Sequence, residues 1–276
     1  MNGRTALRWS GYIAVAIVFA IACVWLSNWQ FTRSDEREAE LALVADNYGQ
    51  DPVALGDLIA PGSTFDADDE WRPVTVRGEY LSDETLLVRN RPRGGTSAFE
   101  VLVPFRTDDG RIIIVDRGWV PPGTDQPEPD EIPAAPTGDV TLTGRLQPGE
   151  MAARDGRSAP EGQVATIDLP LIAEQLPTSG EVVTSAYVLM TTEDPAPAAR
   201  PNPLDAPSED PGPHLSYAIQ WILFAVMGFG FIWYMIRTEI RARREEQEDA
   251  AGAKPRPVRR RRDRDMEAED ELLDAL

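Results

Sequence analysis

Three reactive side chains are almost missing from this chain. Among 276 residues there is one cysteine, Cys23, one histidine, His214, and one lysine, Lys254. A single cysteine permits no intramolecular disulfide, so a folded domain must be held by its own core. One Cys and one His cannot complete the usual four ligands of a zinc site. A serine-nucleophile triad needs a neighbouring histidine and a signal-peptidase-like dyad needs a lysine. The stretch between the two long apolar runs offers neither, apart from His214 at its edge. Gly94-Gly95 and Gly118 with Gly123 lack the strand-to-helix context of a phosphate-cradling loop. Carboxylates are plentiful, which leaves a two-acid hydrolase formally open, but nothing in the pattern selects a pair. Positive charge is also scarce, since residues 30–213 hold 14 Arg and no Lys against 34 Asp and Glu, a net charge of −20. Such a domain is a poor nucleic-acid binder. Its acidity reads first as a solvated surface and second as a field that steers a cationic partner.

What the chain does have is two uncharged apolar runs, Ser10 to Trp29 and Tyr217 to Ile236. Each is long enough, at about 1.5 Å per residue, to cross a hydrocarbon core of about 30 Å. The first exceeds a usual signal-peptide core and is followed by Trp29-Gln30-Phe31-Thr32-Arg33 rather than a small-residue cleavage site, so it is read as a retained span. Arg4 and Arg8 precede it, and Arg237, Arg241, Arg243 and Arg244 follow the second run. Short basic flanks resist translocation, so both termini are expected in the cytoplasm. Trp9, Tyr12, Trp233 and Tyr234 fit the inner interface, and Trp25, Trp29, Tyr217 and Trp221 the outer one.

Between the runs, Ser34 to Val44 reads as a helix with Ser34 or Asp35 as N-cap, and Pro52 to Ile59 as a short second helix. Strands are expected at 73–80, 85–91, 98–105, 111–117, 140–146, 163–167 and 182–190, with Asp108-Asp109-Gly110 as a hairpin signal and Arg93 to Thr96 as a looser turn. A helix over Leu169 to Leu176, capped by Asp168, falls between the last two strands. Seven prolines among residues 191–213 exclude a helix interior or central strand and predict an extended tether. The fold class expected is a membrane protein with two transmembrane helices enclosing one extracytoplasmic α+β domain built mainly on an antiparallel sheet. Its divisions are a cytoplasmic N-terminus (1–9), first span (10–29), extracytoplasmic domain (30–190), Pro-rich tether (191–213), second span (214–236) and charged cytoplasmic tail (237–276), the end of which is expected to be disordered.

Helical spacing puts His214, Tyr217, Ala218 and Trp221 on one face at the mouth of the second span. Read from the residues alone, His214 is either an interfacial histidine satisfying helix-end groups or an imidazole ligand for haem iron with Tyr217, Ala218 and Trp221 against the macrocycle. The first is favoured at this point, because a lone histidine is not a metal signature. Arg89, Arg91 and Arg93 alternate at strand period, with Arg111 and Arg117 on neighbouring strands. They either hold a partner's carboxylates or haem propionates, or pair with local Asp and Glu; the two readings are balanced. Trp71 and Trp119 are core aromatics by default, and Cys23 is read as a small apolar residue inside its span.

Five short motifs then occur in order. Trp29-Gln30-Phe31-Thr32-Arg33 runs to Arg37, Gly78-Glu79-Tyr80 and Pro104-Phe105 lie in strands, Val115-Asp116-Arg117-Gly118-Trp119-Val120-Pro121 is central, and His214, Tyr217, Ala218 and Trp221 close the series. With the two-span layout, they resemble the surfeit-locus protein 1 family of cytochrome c oxidase assembly factors. Arg37 replaces the family's usual Lys, and Asp116 its usual Asn. The resemblance implies a non-enzymatic role in maturing the haem-copper oxidase core in a bacterial cell membrane, with oxidase core subunits and membrane lipid as partners. It also implies transient binding of haem a, with His214 as iron ligand and Tyr217 and Trp221 as pocket residues. Arg117 and Trp119 are family landmarks to which the motif assigns no role. A scaffold or accessory subunit without a cofactor is the alternative.

Overall fold

The structure, a computed structural model, describes residues 3–153 and 159–250. The chain divides into two compact units, one formed by the segments up to Thr32 and from Pro213 onward, the other by Arg33–Gly212. The tail beyond residue 250, with its run of arginines, lies outside the described residues.

The first unit is helical. Helix α1 spans Gly3–Asn47 and α4 spans His214–Ala250. Both are long and apolar enough to cross a membrane. Within the unit their outward faces are apolar and exposed, as at Val15 (69 %), Trp25 (67 %) and Leu223 (60 %), which is the inverse of a water-soluble helix pair. The two helices are joined by Arg8 Nη2 to Glu239 Oε1 (2.5 Å), by Ser27 Oγ to the Ala218 carbonyl (2.9 Å), and by Gln30 to His214. Helix α1 does not restart at Ser34 or Asp35 as expected. Nothing between Trp29 and Asp35 breaks a helix, and the Arg33–Glu36 and Arg37–Glu40 pairs at i, i+3 carry it onward.

The second unit is built on one sheet of eight strands: β1 (Val53–Ala54), β2 (Pro73–Tyr80), β3 (Leu86–Arg93), β4 (Thr96–Thr107), β5 (Ile112–Val120), β6 (Val140–Pro148), β7 (Gln163–Val164) and β8 (Ala186–Asp194). Their order is β1-β2-β6-β8-β5-β4-β3-β7, and an added β2–β4 pairing closes β2, β6, β8, β5 and β4 into a ring. Pairing is antiparallel except at β1–β2, β3–β7 and β5–β8, which are short parallel contacts. Ring closure depends on Gly78, because a Cβ there would lie 1.9 Å from the Arg106 carbonyl oxygen.

Strand periodicity sorts side chains into two cores. Val74 and Val76 of β2, Val101, Val103 and Phe105 of β4, Ile113 and Val115 of β5, Leu142 of β6 and Val188 of β8 fill the ring. The intervening Leu102 and Ile114 face outward, where Val88, Ile167 and the helix α3 (Leu169–Gln175) cover them with Leu169 and Ile172. Covered on both faces, β4 reads as an almost unbroken buried run rather than a simple alternation. Asp168 caps α3 by accepting a hydrogen bond from the Leu171 N–H (3.2 Å).

Several expectations change in detail. Pro52 to Ile59 forms the two-residue β1 followed by one helical turn, α2 (Leu55–Leu58), rather than one helix. The turn at Gly94-Gly95 is tight, with Arg93 directly opposite Thr96. Strand β8 continues through Asp194, into the stretch expected as tether, because Thr192, Glu193 and Asp194 pair with Thr143, Leu142 and Thr141 of β6 before the prolines begin. Trp71 is half-buried and lies 6.0 Å from Tyr48, centroid to centroid.

Candidate functional site

His214 opens α4 immediately after Pro213, whose carbonyl accepts the Tyr217 N–H at 3.0 Å. Its Nδ1 lies 3.0 Å from Oε1 of Gln30 on α1. One turn further along, the Ser27 hydroxyl donates to the carbonyl of the fully buried Ala218. A methyl side chain there lets a backbone carbonyl meet a hydroxyl across the helix pair, the usual advantage of small residues at such seams. The expected common face therefore splits. His214 and Ala218 turn toward α1, Tyr217 is 46 % exposed, and Trp221 is half-buried with its ring edge-on to Phe224 at 5.7 Å. Ala218 is thus not available to lie against a macrocycle, as the spacing alone had implied. Cys23, 1 % exposed, behaves as the small apolar residue it was read to be.

In the sheet unit the arginines separate into two groups. Arg91 and Arg93 share Glu100: Arg91 Nε is 2.6 Å from Glu100 Oε2 and Arg93 Nη2 is 2.9 Å from Oε1. Arg91 also meets Glu150 at 2.7 Å, and Arg93 meets Asp205 at 3.6 Å. Local pairing, one of the two readings of these side chains, is the arrangement found. Arg89 is not part of it. A register shift between Val88 and Arg91, with Asn90 at φ 62°, breaks the alternation that was to align all three, and among the described residues Arg89 makes no ion pair.

Arg117 lies on the ring-facing side of β5, two residues beyond Val115, and is 1 % exposed. Its Nη2 and Nε reach the two oxygens of Glu193 (2.7 and 3.3 Å), Nη1 donates to the Pro133 carbonyl (2.9 Å), and its Cζ sits 5.4 Å from the Tyr80 ring centroid. The Tyr80 hydroxyl donates to Glu193 as well, at 2.9 Å. Burial, reinforced by the Glu193 carboxylate, raises the tyrosine's pKa, so it acts as a neutral donor. Arg117 is therefore an internal strut with no surface to offer a propionate or a partner. That corrects its expected contact role, for the physical reason that a fork-shaped guanidinium already satisfied by a buried carboxylate gains nothing by leaving it.

Trp119 and Gly118 hold the Pro-rich segment. Trp119 and Asn202 exchange backbone hydrogen bonds (2.9 and 2.8 Å), and the indole N–H donates to the Pro203 carbonyl at 3.1 Å. Gly118 permits this approach, since a Cβ there would stand 2.2 Å from the Asn202 oxygen. Farther along, Arg37 donates to the carbonyls of Ser208 (2.6 Å) and Asp210 (3.1 Å). An arginine fork spans both carbonyls where a lysine ammonium offers a single point. The expected free tether is a strap fastened at two places.

Asp116 is the remaining member of the central motif. It is completely enclosed; one oxygen accepts the Gly118 N–H at 2.9 Å and the other has no hydrogen-bond partner. Burial, with Glu100 nearby, pushes its carboxyl well above the usual carboxylate range. Glu193 and Asn202 were not singled out by sequence reasoning, and Gln30 stood in the first motif without an assigned role. Only Gln30 carried a signal, as an uncharged polar residue at the end of an apolar run. Among the described residues no cluster of three or more His, Cys, Asp or Glu could hold a metal ion.

Comparison with known proteins supplies the context for these motifs. A family model described as the SURF1 family matches residues 17–226. An uncharacterised SURF1-like protein of Mycobacterium tuberculosis is 33 % identical over 251 residues, which is 87 % of each chain. The cytochrome oxidase assembly protein SHY1 of Saccharomyces cerevisiae is 26 % identical over 111 residues, covering 39 % of this chain and 28 % of the yeast protein. A SURF1-like protein of Monosiga brevicollis is 31 % identical over 141 residues, 45 % of this chain and 50 % of its own. With the matched region running from within α1 to within α4 and taking in the whole sheet unit, the chain belongs to the SURF1 family.

Proposed function

We propose that this protein is an assembly factor for haem-copper cytochrome c oxidase. In this reading it crosses a bacterial cell membrane twice with both termini in the cytoplasm, contacts oxidase core subunits, and hands over haem a without catalysing a bond change itself. Family membership and the oxidase-assembly role of the yeast relative support this reading. The observation that carries the haem reading is the anchoring of His214 through Nδ1, which leaves Nε2 without a hydrogen-bond partner among the described residues. Metal-ligating histidines are held in this way, by the ring nitrogen that does not bind the metal. The residues present thus fit the group: His214 would hold the iron, with the exposed Tyr217 and the half-buried Trp221 beside it. When bound, haem supplies a redox-active iron centre; the protein supplies one imidazole and an apolar helix surface.

Membranes from cells lacking the protein should show reduced haem a and oxidase absorbance, and unchanged signals would sink the assembly role. Co-expression with a haem a pathway should give purified protein whose haem content falls at least tenfold in His214→Ala; equal content would remove the ligand role. The second reading is a scaffold without a cofactor. It is favoured by the same hydrogen bond, since Gln30 already gives the histidine a structural partner. Full oxidase assembly in His214→Ala, with retained co-purification of the oxidase, selects it.

A further inference from the structure

We infer that Gln30 is the positioning residue of His214, fixing the imidazole as the tautomer with hydrogen on Nδ1 and so making Nε2 the nitrogen offered to a ligand. A carboxamide oxygen can only accept a hydrogen bond, and a neutral imidazole carries one N–H. With Oε1 of Gln30 at 3.0 Å, that hydrogen sits on Nδ1 and the lone pair on Nε2. The contact belongs to a built seam rather than to a chance meeting of two side chains. Ser27 precedes Gln30 by three residues and Ala218 follows His214 by four, so their 2.9 Å bond lies one turn away on the same pair of faces and fixes the helix register. Rotation of the ring is thereby limited to exchange of its two edges against a single acceptor.

The identity of the ligand rests on the haem reading above; the tautomer does not. Because the chain has one histidine, selective ¹⁵N labelling of the full-length protein in detergent micelles gives one pair of ring resonances to assign. At pH 8, without haem, the wild-type protein should show a protonated Nδ1 and an unprotonated Nε2. Gln30→Glu keeps the acceptor and should keep that pattern, whereas Gln30→Leu should populate the other tautomer. A protonated Nε2 in the wild type, or an unchanged pattern in Gln30→Leu, would overturn the inference.

Titration with haem a, read by visible absorbance, separates positioning of the ring from ligation of the iron. Loss of an outer partner of a metal-ligating histidine typically weakens binding by about 10–100-fold, which is the drop expected for Gln30→Leu, with Gln30→Glu restoring it. If the wild type shows the tautomer but takes up no haem, the ligand reading fails and the positioning of the ring stands. If His214→Ala loses haem while Gln30→Leu binds as the wild type does, the ligand reading stands and the inference about Gln30 fails.

Discussion

In the helical unit the apolar side chains face outward and the polar contacts lie along the seam, at Arg8–Glu239, Ser27–Ala218 and Gln30–His214. In the sheet unit the apolar side chains fill the ring, and a buried Arg117–Glu193–Tyr80 group sits among them. The difference matches the proposed placement of the helical unit in lipid and of the sheet unit in water. Lipid gives helices no hydrophobic reason to associate, so packing and hydrogen bonds must choose the partner face. Water drives the ring to bury its valines and isoleucines, and polar groups inside then have to satisfy one another completely. Distance agrees for the helices: from Arg8 to Gln30 is about 33 Å of helix at 1.5 Å per residue, close to the thickness of a hydrocarbon core.

The largest effect is expected at Arg117. Replacing it with alanine leaves Glu193 enclosed and unpaired, and the sheet unit should lose about 3–5 kcal/mol in denaturant unfolding of the full-length protein in micelles. Arg117→Met with Glu193→Leu should recover much of this loss; equal damage in both would show that packing rather than charge pairing is at stake.

A smaller, pH-dependent effect is expected at Asp116. Its folded pKa is raised, so the unfolded chain releases this proton first and the site weakens the fold progressively as pH rises above the ordinary carboxyl value. Asp116→Asn removes that penalty. The denaturation midpoint of the variant should exceed the wild type at pH 8 and converge with it near pH 4. Glu100, Arg91, Arg93 and Tyr187 face the acid, so the same measurement in Glu100→Gln separates burial from repulsion by its neighbour. A constant difference across pH would exclude titration of Asp116 as the cause.

The smallest effect belongs to the helical seam. Ser27→Ala deletes one interhelical hydrogen bond, worth about 0.6 kcal/mol on average in membrane proteins. Cys23 is the only thiol and is buried, so its alkylation rate reports seam opening directly. A rise of roughly threefold is expected from that energy; a rise of tenfold or more would mean that Ser27 sets the register almost alone.

Elements were legible in the sequence where local pattern and tertiary demand coincide. Strand β2 was expected at its observed bounds because Pro73 and the turn after Tyr80 mark its ends. The Asp168 cap was equally plain. Ring closure was not legible, since β2 meets β4 at a glycine whose neighbour is far away in sequence. At the candidate site, the motif put His214 forward, but its partner lies 184 residues away and no local pattern pairs the two. The arginines illustrate the opposite failure. Strand period correctly grouped Arg91 with Arg93, while one bulge at Asn90 was enough to remove Arg89 from the set.

The two outermost strands of the sheet, β1 and β7, are two residues long. That brevity has a consequence for how the domain meets other proteins. Strands so short offer little backbone template for another chain to extend, and beyond the reach of β7 the margin of β3 carries the Asn90 bulge and Pro92, which has no N–H to donate. Self-association by strand addition is thereby discouraged. Recognition is left to side chains and to the helices.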